Sequence, residues 1–225
     1  AAVSDFTRSL ALKHYPVNIK VIPNGVDLEA INPGEIVTQE PPHIVFAGRF
    51  MEQKNPLQIV RTLAAVRDLR WTCALLGDGP LRPSVEREIA NAGLVDRFTL
   101  TGWVTPEEVL DWFGRSDILF MPSRSEGLPV VGVQALAMGL AIVASRVGGF
   151  VDLVSDGKNG WLLDCRDQPG FESVLRKLLG SPGELLKMRQ NSRVIAHRFD
   201  IRWVVDAYEG LLTEAAQSRS RGKAG

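Results

Sequence analysis

The chain has 225 residues, 45% of them apolar, and Lys plus Arg balance Asp plus Glu at 26 each. That length carries one large domain, or one domain and a fragment of another, with apolar residues enough for a substantial core. The charge balance leaves no global field to attract nucleic acid, and the basic residues Arg219, Arg221 and Lys223 fall in a short tail, 218–225, expected to be disordered rather than held at a membrane surface.

The two cysteines, Cys73 and Cys165, lack CxxC spacing, and Cys73 sits in an apolar run where a reduced thiol packs as a small hydrophobe, which fits a cytoplasmic setting. His14, His43 and His197 are isolated in sequence, so no metal-ligand cluster and no metal is expected. Residues 127–145 carry no charge, and that run approaches the roughly 18–20 residues that span a bilayer. Pro129, Gly132, Gln134 and Gly139 interrupt it, and Gly139 divides it into a helix-sized piece and a short β-branched piece, so it reads as a buried helix and a buried strand, not a transmembrane segment. The N-terminus has neither an initiating Met nor a basic segment, so it is no signal peptide, and the chain is expected to begin in mid-protein.

In chain order, residues 4–15 read as one helix leading to a strand at 19–22, followed by a Pro-rich surface loop at 32–42 with Pro33, Pro41 and Pro42. Short apolar runs at 44–47, 72–76, 98–101, 118–121, 141–144 and 160–163 then read as strands, most of them buried on both faces. Between the first two, Leu57, Val60, Leu63 and Ala64 recur at helical spacing after Asn55-Pro56, a cap followed by Pro at the first helical position. Val109, Leu110 and Phe113 do the same after Thr105-Pro106-Glu107-Glu108, the pattern of a capping box. From Phe171 onward the chain is helical without further strands. Alternation of strand and helix predicts α/β class: a doubly wound, Rossmann-like parallel sheet with helices on both faces.

In such sheets ligands bind outside the carboxyl ends of the strands, which directs attention to three constellations. Gly48-Arg49, with Lys54 five positions after Arg49, offers two cations ahead of a capped helix, suited to a diphosphate or equally to a solvated surface. Gly77-Asp78-Gly79-Pro80 permits positive φ and close ligand approach, or is a bare turn; it matches neither the dinucleotide fingerprint nor the P-loop. Ser123-Arg124-Ser125-Glu126-Gly127-Leu128-Pro129 precedes a buried helix whose first amides, around Leu128, Val130 and Val131, make an anion site, with Glu126 ready to accept from hydroxyls and Gln134 eight residues later. Burying the Gln134 amide on that apolar helix without a partner would cost a few kcal/mol, which favours a ligand or backbone contact.

Four ordered motifs, Ile22-Pro23-Asn24-Gly25-Val26-Asp27, Phe46-Ala47-Gly48-Arg49, Leu76-Gly77-Asp78-Gly79-Pro80-Leu81 and Glu126-Gly127-Leu128-Pro129 with Ala135 to Ala137, resemble the C-terminal half of the family 4 retaining glycosyltransferases of GT-B fold. The match covers roughly residues 4–208. The resemblance implies a donor site for a UDP-, GDP- or ADP-sugar in residues 18–198, an acceptor domain upstream of which residues 1–17 are the remnant and linker, and a C-terminal helix at 199–217 that crosses back to that domain.

It also implies roles. Arg49 and Lys54 hold the donor diphosphate and stabilise leaving charge, Glu126 is the first carboxylate of a Glu-x7-Glu motif near the sugar hydroxyls, and Gly48, Gly77, Gly79, Trp103, Val104 and the 127–131 stretch (Gly127, Leu128, Pro129, Val130, Val131) surround the donor. Gln134 stands where the second carboxylate would bind the ribose diol, and an amide keeps one acceptor oxygen but loses the charge. Transfer with retention and without a metal or other cofactor is implied, in a cytoplasmic protein whose full length contacts the inner face of the membrane peripherally. A nucleotide-sugar-binding subunit that needs a separate acceptor-binding chain, an inactive homologue, and a GT-B sugar epimerase are the competing readings.

Overall fold

Six apolar runs become six strands because a strand covered on both faces needs apolar side chains at every position. They are β1 (His43–Ala47), β2 (Thr72–Leu76), β3 (Phe98–Gly102), β4 (Ile118–Met121), β5 (Ala141–Ser145) and β6 (Gly160–Leu163), all paired in parallel in the order β3-β2-β1-β4-β5-β6. The structure, a computed structural model, describes residues 1–31 and 34–221; Asn32 and Pro33 of the Pro-rich stretch and residues 222–225 of the tail, Lys223 among them, lie outside the described residues. Burial on both faces holds for β1, β2, β4 and β5, whereas the edge strand β3 leaves Thr99 exposed and β6 alternates, since an edge strand is only partly covered.

Helices α2 (Pro56–Ala65), α3 (Arg82–Asn91) and α7 (Gln168–Leu179) pack together, as do α5 (Val130–Ala137), α6 (Phe150–Leu153) and α8 (Pro182–Ala196), and right-handed crossovers put the two sets on opposite faces. Phe120 of β4 meets Phe171 of α7 with ring centroids 5.3 Å apart, locking one layer onto the middle of the sheet. The uncharged run 127–145 resolves into α5 and β5, and among the described residues no helix is long and apolar enough to cross a membrane.

Local signals were obeyed unevenly. Helix α4 (Pro106–Gly114) has its full capping box: the Glu108 N–H donates to Thr105 Oγ1 at 3.2 Å and the Thr105 N–H to Glu108 Oε2 at 2.7 Å. Asn55 occupies the N-cap of α2 but does not cap it; its backbone is left-handed, φ 53°, and its Nδ2 donates instead to the Pro122 carbonyl, 3.2 Å away across the sheet edge.

Helix α1 is shorter than the 4–15 expected, Asp5–Leu12, with Ser4 as its N-cap accepting from the Thr7 N–H at 3.1 Å. The strand expected at 19–22 does not form; the segment joins no sheet and makes only an isolated bridge, Val21 to Ala2. Helix α9 (Ile201–Arg221) runs further than residue 217, so the tail is helical as far as Arg221 rather than disordered from 218. Its start is tied to the loop after that bridge: the Val26 N–H donates to Phe199 O and the Ile201 N–H to Val26 O, each 2.9 Å, and a Cβ on Gly25 would strike Val204 and Ile201.

At the amino edge of the sheet a buried ion pair joins distant parts of the chain. Asp117, fully buried before β4, accepts from the His43 N–H at 2.7 Å, the Gln39 N–H at 3.0 Å and Arg189 Nη1 at 2.5 Å. Arg189, 3% exposed on α8, also reaches the Gly139 carbonyl through Nε at 2.9 Å and the Val37 carbonyl through Nη1. Burial pushes the Asp117 carboxyl up and the Arg189 guanidinium down from their ordinary values, so each charge persists only because the other and the surrounding hydrogen bonds are present. Arg189→Met leaves Asp117 buried without its cation, and the expected loss in urea unfolding is about 3–5 kcal/mol; a loss under about 1 kcal/mol would show that the pair does not hold this edge together.

His43 stacks on Trp112, centroids 6.0 Å apart, the Arg115 guanidinium lies over the same Trp112 ring at 4.6 Å, and the His43 Nδ1 lies 2.6 Å from Thr72 Oγ1. Burial first, and Arg115 second, lower the imidazole from 6.5 to about 4. Between those values the unfolded chain takes up a proton that the folded chain refuses. The stability His43 contributes is therefore complete above about pH 6.5 and lost as pH falls toward 4. The melting temperature of His43→Phe should accordingly fall less steeply than the parent's across that window; parallel curves would contradict the assignment.

Candidate functional site

The strand order reverses between β1 and β4, so the loops leaving those two strands diverge to opposite faces and open a crevice at the carboxyl edge. Several bonds fix its two walls, the 48–55 loop and the 122–129 loop. The Arg124 N–H donates to Gln53 O at 2.7 Å, Gln53 Nε2 to Ser125 O at 3.0 Å, and Asn55 Nδ2 to Pro122 O. Arg124 also pairs with Glu52 at 3.1 Å on the exposed side.

Inside this frame Lys54 Nζ donates to both oxygens of Glu126, at 2.7 and 2.8 Å. The pair is sheltered, with side-chain exposures of 20% for Lys54 and 5% for Glu126. Glu126, expected from sequence to be ready to accept from hydroxyls, is buried and engaged, because Lys54 supplies the counter-charge that makes burial tolerable. The Arg49 side chain has no ion pair or hydrogen bond among the described residues; it is exposed, with its guanidinium 6.0 Å from the ring centroid of Trp103, itself 65% exposed. The geometry thus joins Lys54 to Glu126, and Arg49 to Trp103, but does not bond one couple to the other.

The glycines stand where backbone meets backbone. Gly77, φ 127°, would drive a Cβ into the Gly48 carbonyl, and Gly79, φ 153°, into the Phe50 backbone. They let the β2–α3 turn lie against the loop bearing Arg49, with Gly48 N–H to Leu76 O at 2.9 Å and Phe50 N–H to Asp78 O at 2.8 Å. Trp103 and half-buried Val104 follow β3, whose Gly102 carbonyl accepts from the Gly77 N–H at 2.8 Å.

On the other wall Gly127 is exposed and Leu128 and Pro129 are buried. Pro129 is the N-cap of α5 rather than its first helical residue, so Val130 and Val131 contribute the first helical amides, which lack intrahelical acceptors. Gln134 is neither fully buried nor bonded: its amide is half-exposed and makes no hydrogen bond to the described residues, while its helical neighbours Val133 and Ala135 are completely covered. The penalty anticipated for a buried amide is avoided by exposure.

Three contributors escaped the sequence reading as site residues. Asn24 Nδ2 donates to the Leu128 carbonyl at 2.7 Å, tying the 22–27 loop to the 122–129 wall. Gly148 and Gly149, after β5, back directly onto the Glu126 and Gly127 carbonyls, with the Gly149 N–H donating to Gly127 O. The Gly-Gly pair after a strand was a usable signal; the partner of Asn24, more than 100 residues away, had none. Among the described residues no group of three or more His, Cys, Asp and Glu side chains is placed to hold a metal ion.

Comparison with known proteins gives the family and the fold. A family model described as "Glycosyl transferases group 1" matches residues 41–181. The D-inositol 3-phosphate glycosyltransferase of Xylanimonas cellulosilytica is 30% identical over 221 residues, covering 90% of this chain and 52% of its own. The enzyme of that name from Paenarthrobacter aurescens is 33% identical over 184 residues, covering 74% and 45%. The chain spans about half the length of the curated relatives it matches. Among solved structures, Anabaena HepE in complex with UDP superposes with a TM-score of 0.83 at 19% identity over 95% of this chain and 63% of that one, a likeness of fold. With its matched span running from the end of the Pro-rich loop through α7, the chain belongs to the group 1 glycosyl transferases.

Proposed function

We propose that this chain is the donor-binding, C-terminal half of a family 4 retaining GT-B glycosyltransferase, cytoplasmic and independent of metal, with residues 1–17 and the crossing helix α9 facing an acceptor domain. The observation that carries the reading is the Lys54–Glu126 pair at the switch point, flanked by Arg49 and by the first amides of α5. The crevice collects positive charge from a guanidinium, an ammonium and a helix N-terminus, the set that a diphosphate requires. That the relatives are about twice as long supports the half-enzyme reading, and UDP in the HepE structure supports a uridine nucleotide.

In this reading Lys54 rests on Glu126 until a donor arrives. The diphosphate draws the ammonium toward its oxygens, and the released carboxylate accepts from the sugar hydroxyls, so Coulomb energy spent on the resting pair is exchanged for contacts to substrate. Arg49 and Lys54 then stabilise the charge that grows on the leaving phosphate as the glycosidic bond breaks. Gln134 presents one acceptor oxygen to the ribose where a carboxylate would present two charged ones. That amide is also the observation favouring the second reading, an impaired homologue or a binding subunit that requires a separate acceptor-binding chain.

Calorimetry with UDP, GDP and ADP tests the proposal. Arg49 is the cleaner probe, because its removal strands no buried partner whereas removing Lys54 orphans Glu126. Arg49→Ala should weaken binding of the preferred nucleotide about tenfold, the loss of one charge-assisted contact. Gln134→Glu should strengthen it by a similar factor. Absence of nucleotide binding in both the parent and Gln134→Glu would overturn the donor-site reading. Transfer of sugar by these 225 residues alone would overturn the half-enzyme reading.

A further inference from the structure

A cavity of about 430 Å³ opens beside the crevice, lined by Asn55, Gln58, Arg61, Arg124, Cys165 and Arg166. These residues come from the first turns of α2, the β4–α5 loop and the turn between β6 and α7, and the packing of α2 against α7 brings them together. Three of the six are arginines and none is acidic. The nearby carboxylates are engaged: Glu88 with Arg61 Nε at 3.0 Å, Glu52 with Arg124 at 3.1 Å, Asp164 with the Arg166 backbone N–H at 2.8 Å, and Asp167 with the Gly170 N–H at 3.0 Å. Each guanidinium carries five donors. The ion pairs of Arg61 and Arg124 leave most of theirs unused, and the Arg166 guanidinium has no partner among the described residues.

We propose that this cavity binds a phosphate-bearing small molecule with a polar body, such as a sugar or polyol phosphate, at a site beside the crevice that uses none of Arg49, Lys54 and Glu126. Planar guanidinium forks match phosphate oxygens bidentately. The first turns of α2 and α7 add their dipoles to the same side. The volume lies within the range of small-ligand sites, roughly 300–1,000 Å³. A lining of amide, guanidinium and thiol groups supplies donors for phosphate oxygens and for hydroxyls, which suits a hydroxylated phosphate. Asn55 and Arg124 belong to the loops that carry Lys54 and Glu126, so occupancy bears on the walls of the crevice.

Cys165 reports on this cavity directly. The other cysteine, Cys73, is fully buried, and burial pushes its thiol up, so alkylation by neutral iodoacetamide falls on Cys165. Its labelling rate, followed by mass spectrometry on the full chain, should slow about fivefold in saturating inorganic pyrophosphate by mass action, and not in sodium chloride at equal ionic strength. Arg61→Gln and Arg166→Gln should each raise the half-protecting concentration about tenfold, Arg166→Lys should restore part of the protection, and Arg49→Ala should leave it unchanged. Protection that persists in the Arg61→Gln, Arg166→Gln double variant, or that sodium chloride reproduces, would overturn the proposal. Protection by phosphatidylcholine–phosphatidylglycerol vesicles with none from free pyrophosphate would overturn it as well, since the anion would then be a lipid headgroup.

Discussion

The arrangement depends on the reversal of strand order between β1 and β4. Right-handed crossovers allow a parallel sheet to grow in both directions only if helices change face at that point. No helix then closes the space above the two central strands. A crevice at the carboxyl edge is the geometrical residue of this constraint, and the chain spends its loop hydrogen bonds bracing the two walls rather than filling the gap.

Two ion pairs illustrate how differently the two edges of the sheet are used. Asp117 and Arg189 sit at the amino edge, each satisfied by several backbone groups, and hold the 37–43 segment, β4 and α8 in register. Lys54 and Glu126 sit at the carboxyl edge, where, among the described residues, Lys54 alone bonds the carboxylate. A pair supported by a full network is costly to open and suits architecture. A pair with few competing bonds exchanges partners when a stronger anion enters, and suits a site.

Close backbone approach does the remaining positioning. Gly77 and Gly79 bring the second βα turn against the first, Gly148 and Gly149 bring the fifth against the fourth, and Gly25 admits the start of α9. The arginine-lined cavity arises in the same way: α7 returns across the sheet to α2, and the turn that leads into it, with Arg166, meets loops already braced at the crevice.

Some of this was determined by the amino-acid sequence itself. Six short apolar runs declared six strands, and in β1, β2, β4 and β5 burial on both faces leaves no room for polar alternation; the capping box of α4 declared itself because its partners are three residues apart. Gly77 and Gly79 marked a turn whose φ no other residue adopts cheaply. Tertiary structure decided the rest. Residues 19–22 have strand-forming side chains but no sheet neighbour, so they pair only with Ala2; Asn55 has the chemistry of a cap but finds Pro122 across the crevice; Gln134 is only half-buried between the fully covered Val133 and Ala135. Lys54 and Glu126 are 72 residues apart, and Asp117 and Arg189 likewise. Local pattern specifies what a segment can become, but the partner of a charge or an amide is set by which segments the sheet order places side by side, and periodicity carries no record of that.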